Sequence, residues 1–344
     1  MRKQNGADVY SGFNVDIKNE NVDKFEASQP PEYKEYREKW EEYPKKLIIP
    51  EFPLHLDIGI TSKCNLKCPM CTRTQKIGDT TWVETRHLEF EFFQKAIDEG
   101  GSKGLCAVDF DNFGEPLLNP NIFKMISYAK SKGILDVFFH TNATALNEIN
   151  GRKLIEAGLD RLIISFDSPY KEKYEKIRIG AKFEKVLRNI KNFAELKKQL
   201  NVIRPLTRIN CIKFHDITRK EIEDTIALFS PIVDAVSFID YVDPVKSKEG
   251  CFDGSYESGF ICPQIITRLT IWEDGMISPC CMDYDRTLCF GNLKDMSLED
   301  AWKSRKLQQI REKHFSGKFF EIPSCRTCDF ALESDMKYKK EKEE

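Results

Sequence analysis

With 344 residues, 41% hydrophobic and 11% aromatic, the chain can bury a large core, which predicts one main domain of about 200 residues or more and an appendage. A net charge of −2 at pH 7 gives no global reason to expect nucleic-acid binding, and no run approaches the roughly 20 apolar residues of a membrane span. Twelve cysteines in so long a chain are not a small secreted disulfide scaffold, and the start Met1-Arg2-Lys3-Gln4 carries no apolar segment. These features read as a cytoplasmic chain whose cysteines are kept reduced for metal.

Residues 1–50 form a polar arm without chemistry, in which Tyr33, Tyr36, Trp40 and Tyr43 after Pro30-Pro31 suit a short helix or wrap lying on the main domain. Next, Phe52, Leu54, Leu56, Ile58 and Ile60 alternate as in a strand. Cys64, Cys68 and Cys71 follow directly at CxxxCxxC spacing. Three soft ligands on one tight loop suit an iron–sulfur cluster, and because the next cysteine is Cys106, a [4Fe–4S] cube held here keeps one iron open. A zinc knuckle or three core cysteines are the bland alternatives.

Strand-like runs at 53–60, 105–112, 135–140, 161–166, 206–212 and 234–241 alternate with helical patterns near 87–99, 121–132, 147–158, 184–199 and 217–229. Strand–helix units in series imply an α/β fold with a parallel sheet and right-handed crossovers, spanning 51–245. Ligands of such sheets sit at the C-terminal strand ends. Polar residues stand there: Gly114 and Glu115 after the second strand, His140 and Asn142 after the third, and Ser165 and Asp167 after the fourth, with Arg178 beyond and Asn210 on the fifth. His140 could carry a proton at neutral pH. A hydroxyl and a guanidinium, as at Ser165 and Arg178, suit a carboxylate; an ion pair of Arg178 with Glu172 or Glu175 is the alternative.

The loop Cys64-Asn-Leu-Lys-Cys68-Pro-Met-Cys71 resembles the signature of radical S-adenosylmethionine (SAM) enzymes. The resemblance implies a partial (β/α)6, TIM-like barrel in which SAM fills the open iron position and is cleaved to a 5′-deoxyadenosyl radical. Gly114-Glu115-Pro116 is similar to the family's Gly-Glu-Pro element, which binds the SAM amino group, although Phe113 stands where a second glycine is commoner. Thr141-Asn142-Ala143 is similar to a Thr-Asn-Gly that lines the site. The resemblance also implies that Ser165 and Arg178 bind the methionine carboxylate, and that Asp167 and Asn210 meet SAM ribose or substrate hydroxyls.

Past the loop-like stretch 243–259, cysteines return in a segment placed at 246–334, ahead of a charged tail at 335–344. Cys262 precedes a hairpin, Thr267–Trp272 and Met276–Cys280 around Asp274-Gly275, which swings Cys280 back toward Cys262. A helix from about 297 to 314 and Cys325-Arg-Thr-Cys328 complete a hairpin-plus-helix unit. Four thiolates so arranged fit zinc or an iron–sulfur cluster. The pattern resembles the SPASM/twitch extension of radical SAM enzymes, which implies a second, auxiliary [4Fe–4S] cluster on Cys262, Cys280, Cys325 and Cys328, with Cys281 a possible substitute for Cys280. Cys106 and Cys211 read as core residues, whereas Cys251 and Cys281 are candidate hydrogen donors to a substrate radical.

An auxiliary cluster suits the discarding of one electron from a carbon radical beside a hydroxyl. The expectation is therefore a radical SAM oxidoreductase acting on a sugar-like or cyclitol alcohol, similar to the aminocyclitol dehydrogenase of aminoglycoside biosynthesis. It would be served by a low-potential donor such as flavodoxin or ferredoxin, with no nucleic-acid or membrane partner. A sugar epimerase, a maturase of ribosomal peptides, and a non-catalytic iron–sulfur scaffold are the alternatives.

Overall fold

A computed structural model describes residues 14–76, 85–241, 260–328 and 330–331. In chain order its strands are β1 (Asn14–Lys18), β2 (His55–Ile58), β3 (Ala107–Asp109), β4 (Asp136–Thr141), β5 (Arg161–Ser165), β6 (Leu206–Lys213), β7 (Ala235–Asp240), β8 (Arg268–Ile271), β9 (Met276–Ser278) and β10 (Gly291–Asn292). They form one sheet in the order β1-β7-β6-β5-β4-β3-β2-β8-β9-β10, with β2 through β7 paired in parallel. The sheet stays open, since β1 and β10 are its edges. All six strands of the sequence reading are present, each within a few residues of its expected span, and the fold is a partial barrel.

The helices are α1 (Glu20–Ala27), α2 (Pro31–Lys46), α3 (Thr72–Lys76), α4 (Phe90–Ser102), α5 (Ile122–Ser131), α6 (Glu148–Glu156), α7 (Lys171–Ile177), α8 (Phe183–Gln199), α9 (Arg219–Phe229), α10 (Gln264–Thr267), α11 (Leu298–Trp302), α12 (Arg305–Phe315) and α13 (Pro323–Arg326). The crossovers owe their packing to apolar stripes. On α8, Phe183, Val186, Ile190, Phe193 and Leu196 fall three or four residues apart and are buried against the sheet. Caps fix where these helices start: Asn147 accepts from the Asn150 N–H ahead of α6, and Thr218 from the Glu221 N–H ahead of α9. The sequence reading has no helix at 171–177, because this two-turn element buries only Tyr174 and so shows no stripe.

The arm differs from its loose reading. Its first part forms β1, antiparallel on β7, and α1, while α2 closes the N-terminal end of the barrel. Phe25, Tyr33, Tyr36 and Trp40 pack there on Leu54 and Ala107. A salt bridge at 2.7 Å between Lys197 and Asp234, with the Asn21 amide also on Asp234 at 2.7 Å, pins α1 to the strands.

Strand β2 shows why the lumen was hard to read. Leu56 and Ile58 belong to the main apolar core, while the alternate residues His55 and Asp57 are equally buried on the other face. There Arg268 donates to Asp57 at 3.1 Å, Thr270 donates to it at 3.3 Å, and Asp109 lies 3.0 Å from His55 Nε2. Burial pushes the His55 imidazole down to about 3, and burial together with the Asp57 charge holds the Asp109 carboxyl well above the usual range. The buried charge is thereby confined to one Asp57–Arg268 pair. Strand β8 pairs in parallel with β2, so the C-terminal hairpin extends the barrel sheet instead of standing apart from it.

Candidate active site

The three-cysteine loop leaves the C-terminal end of β2 and is gripped from two sides. Gly114, at φ +84°, lies so close beneath it that an added Cβ would sit 2.4 Å from Thr61 O and 2.7 Å from Lys63 O. Glycine is required here by both conformation and space. Its neighbour Glu115 donates its N–H to Lys63 O at 2.8 Å. On the other side, the Asn142 amide donates to Asn65 Oδ1 at 3.0 Å, the Asn65 amide donates to Thr144 Oγ1 at 2.7 Å, and the Asn142 amide reaches Cys64 Sγ at 4.0 Å. Within the loop, the Leu66 N–H points at Cys64 Sγ at 3.4 Å and the Cys71 N–H donates to Cys68 O at 3.1 Å. Burial pushes the Cys64 thiol up to about 11 and raises Cys68 as well, so thiolates here call for a cationic metal beside them.

Around this loop stand most of the other candidates. Glu115 is buried and accepts from Thr141 Oγ1 at 2.6 Å, from the Asn142 N–H at 2.8 Å and from the Leu117 N–H at 3.3 Å. Burial nevertheless pushes its carboxyl up to about 7. Arg178 pairs with neither Glu172 nor Glu175. Its Nε donates to Asp167 Oδ2 at 2.5 Å and its Nη1 approaches Cys68 Sγ at 4.0 Å, while Asp167 Oδ1 accepts the Ile212 N–H at 3.1 Å. Ser165 lies level with Asn210 on the adjacent strand. His140 Nδ1 sits 2.6 Å from Asp111 Oδ2, its backbone N–H donates to Asp111 Oδ1 at 2.8 Å, and its Nε2 is 3.3 Å from Asn210 Nδ2. A carboxylate on Nδ1 and an amide N–H on Nε2 assign the neutral ring to the Nδ1–H tautomer.

A second thiol group lies beyond β8 and β9. Cys262, Cys280, Cys325 and Cys328 share two adjoining apolar clusters with Ile265, Ile266, Leu288, Phe260 and Phe319. Burial raises the Cys280 thiol, and Cys281, Cys262, Cys328 and Cys325, in that order, raise it further. Burial and then Cys328 push the Cys262 thiol up to about 12, against the smaller opposing effect of the Gln264 and Ile265 N–H groups. Cys281 turns elsewhere, to Gln264 Oε1 at 3.5 Å. Cys251 lies outside the described residues. Between the two thiol groups stand aromatic rings that sequence reasoning missed. Phe113 stacks on Trp272, centroids 5.5 Å apart, and meets Tyr284 at 5.4 Å. The Tyr284 phenol is raised by burial and then by Cys281, Cys71 and Cys280, so it neighbours both groups. The one signal in the sequence was Phe113 itself, an aromatic where a glycine is commoner.

The sequence model of the radical SAM superfamily matches residues 58–229, half of the chain, and that of an iron–sulfur cluster-binding domain, SPASM, matches 262–329. The chain belongs to the radical SAM superfamily. Among curated relatives, a GTP 3′,8-cyclase of Aliarcobacter butzleri is 27% identical over 57% of this chain and 58% of its own length. The chain thus spans little more than half of those first relatives. The tungsten-containing aldehyde ferredoxin oxidoreductase cofactor-modifying protein of Pyrococcus furiosus is 24% identical over 82% of this chain and 90% of its own. Among solved structures, BtrN in complex with AdoMet and 2-DOIA superposes with a TM-score of 0.53 at 17% identity, covering 80% of this chain and 92% of that one, a likeness of fold.

Membership in the radical SAM superfamily with a SPASM domain makes the protein an enzyme that uses SAM and [4Fe–4S] clusters, an auxiliary one included. The donor sets fit. Three thiols on one loop leave an iron position for SAM, and four gathered thiols complete a cluster by themselves. No helix among the described residues is long and apolar enough to cross a membrane.

Proposed function

We propose that this radical SAM enzyme oxidises an alcohol carbon of a sugar-like or cyclitol-like small molecule to a carbonyl. The observation that carries the reading is Tyr284, whose ring meets Phe113 at 5.4 Å and whose phenol feels both Cys71 of the first thiol group and Cys280 of the second. An electron acceptor beside the reacting carbon is what alcohol oxidation needs once a hydrogen atom has been removed. The likeness in fold to BtrN, solved in complex with AdoMet and 2-DOIA, is compatible with a small-molecule substrate at this mouth. When bound, the first cluster and SAM supply a 5′-deoxyadenosyl radical, and the auxiliary cluster supplies the one-electron acceptor.

The residues then take these parts. Cys64, Cys68 and Cys71 hold the first cluster, and Cys262, Cys280, Cys325 and Cys328 hold the second. Gly114, Glu115 and Asn142 set the loop against β4, so the SAM amino group meets backbone at 114–115. Ser165 and Arg178 take the methionine carboxylate, with Asp167 aiming the guanidinium. His140 and Asn210 face the substrate from the strand ends. The electrons come from a carrier of the flavodoxin or ferredoxin type.

Epimerisation is the second reading, favoured by the buried Cys281 thiol beside Tyr284. A panel of cyclitols and sugars deuterated at the carbinol carbon separates the two. Oxidation gives a carbonyl product and deuterium in 5′-deoxyadenosine; epimerisation gives an inverted alcohol with solvent hydrogen at that carbon. No transfer of deuterium from any member would contradict the proposal.

A further inference from the structure

Several polar atoms on the parallel strands or just beyond them are buried and have no hydrogen-bond partner among the described residues: both amide atoms of Asn112, after β3, Asn210 Oδ1 within β6 and Ser237 Oγ within β7. Buried polar groups are rarely left unpaired, because the lost hydrogen bonds to water must be replaced. These four atoms are not scattered. Asn210 and Ser237 are direct partners on β6 and β7, so their side chains stand on one face. Asn210 Nδ2 meets His140 Nε2, and Asp111 fixes the other side of that ring. Asn112 follows Asp111 with φ 74°, a left-handed turn that lays its amide 3.5 Å from where a Cβ on Gly59 would be, at the end of β2. Asn210 and Ser237 therefore form a polar pair on one face, with His140 and Asp111 beside it and Asn112 at the end of β2.

The chemistry of the row selects its ligand. Asn210 Oδ1 and Asn112 Oδ1 accept, Asn112 Nδ2 donates, and Ser237 Oγ does either, while the one lone pair of His140 Nε2 is taken by Asn210 Nδ2. A phosphate or carboxylate needs donors and would face mostly acceptors. A hydroxyl both donates and accepts, and two on neighbouring carbons can donate to Asn210 Oδ1 and Ser237 Oγ while accepting from Ser237 or Asn112. We propose that Asn210 and Ser237, with Asn112 at the end of β2, form a polyol-recognition subsite that takes two adjacent hydroxyls of the substrate, one of them on Asn210 Oδ1, while His140 holds the Asn210 amide in place. The proposal rests on the alcohol-oxidation reading and adds to it a place for the diol.

Calorimetric titration of the reconstituted holoenzyme with SAM present, using myo-inositol as probe and cyclohexanol as its counterpart without a diol, tests this. Saturable inositol binding is expected, weakened about tenfold or more in Asn210→Leu and Ser237→Ala, with no saturation by cyclohexanol at the same concentrations. Ser237→Ala removes a single oxygen and carries the test should Asn210→Leu misfold; iron content serves as the check. No saturable inositol binding, or equal binding by both variants and wild type, would overturn the subsite. Inositol binding by an enzyme that oxidises no alcohol of the panel would remove the oxidation reading and leave the subsite. Oxidation unaffected by Ser237→Ala and Asn210→Leu would do the reverse.

Discussion

Replacing Gly114 by alanine separates backbone strain from crowding of the cluster loop, because the chain contains its own control. Gly104 has φ +82°, nearly the +84° of Gly114, but a Cβ there would meet nothing within 4 Å. Gly104→Ala should therefore cost only the left-handed strain, about 1–2 kcal/mol. At Gly114 the same methyl would lie 2.4 Å from Thr61 O and 2.7 Å from Lys63 O, so the backbone ahead of Cys64 must retreat by at least about 0.6 Å. That movement also stretches the bond from Glu115 N–H to Lys63 O, worth about 1 kcal/mol. The strain and the weakened bond come to about 2–3 kcal/mol before any cost of the backbone movement, and metal ligands tolerate only about 0.2 Å of displacement. Thermal unfolding of both variants gives the costs; iron content and 5′-deoxyadenosine yield after anaerobic reconstitution read the loop. Gly104→Ala should keep its iron and its yield, and Gly114→Ala should lose both. A Gly114→Ala protein that holds full iron and loses no more stability than Gly104→Ala would refute the reasoning.

Glu115 should make stability pH-dependent. Its folded carboxyl is raised to about 7, above the unfolded value, so its contribution is fully present below about 4.5 and is lost as pH rises through about 7. Glu115→Gln should flatten denaturant-measured stability over that window, and an unchanged slope would count against the shift. The same substitution places an NH2 or loses an acceptor opposite three donors, costing about 1–3 kcal/mol. Phe113→Ala should cost about 3 kcal/mol in unfolding experiments by removing the ring between Trp272 and Tyr284, whereas a loss under 1 kcal/mol would mean those rings do not depend on it. Cys280→Ser should lower iron after reconstitution while Cys281→Ser leaves it near wild type; the opposite pattern would exchange the two cysteines as ligands.

Much of the barrel was legible because its helices carry one-sided apolar stripes and its strands are short apolar runs between turn residues. The lumen was less so. Along β2 the alternation of Leu56 and Ile58 with His55 and Asp57 looks like a strand with one wet face, but the barrel interior buries both. In the arm, Tyr33, Tyr36 and Trp40 marked α2 as an element lying on the barrel, whereas the segment that forms β1 and α1 carried no periodic signal. At the site, spacing alone brought out the two cysteine groups. Contacts between distant segments were invisible, such as Asp111 on His140, Asp167 on Arg178, and Phe113 against Trp272 and Tyr284. Ala143 has φ 55°, which gives a physical reason for glycine at the third place of a Thr-Asn-Gly.

The most direct test of two clusters with separate duties is anaerobic reconstitution with iron and sulfide, comparing wild type with a Cys64→Ala, Cys68→Ala, Cys71→Ala triple variant. Two cubane clusters predict about eight irons per wild-type chain and about four in the variant. Dithionite-driven 5′-deoxyadenosine formation should be present in wild type and lost in the variant. About four irons in wild type and none in the variant would contradict the auxiliary site, and 5′-deoxyadenosine formed by the variant would contradict the place given to SAM chemistry.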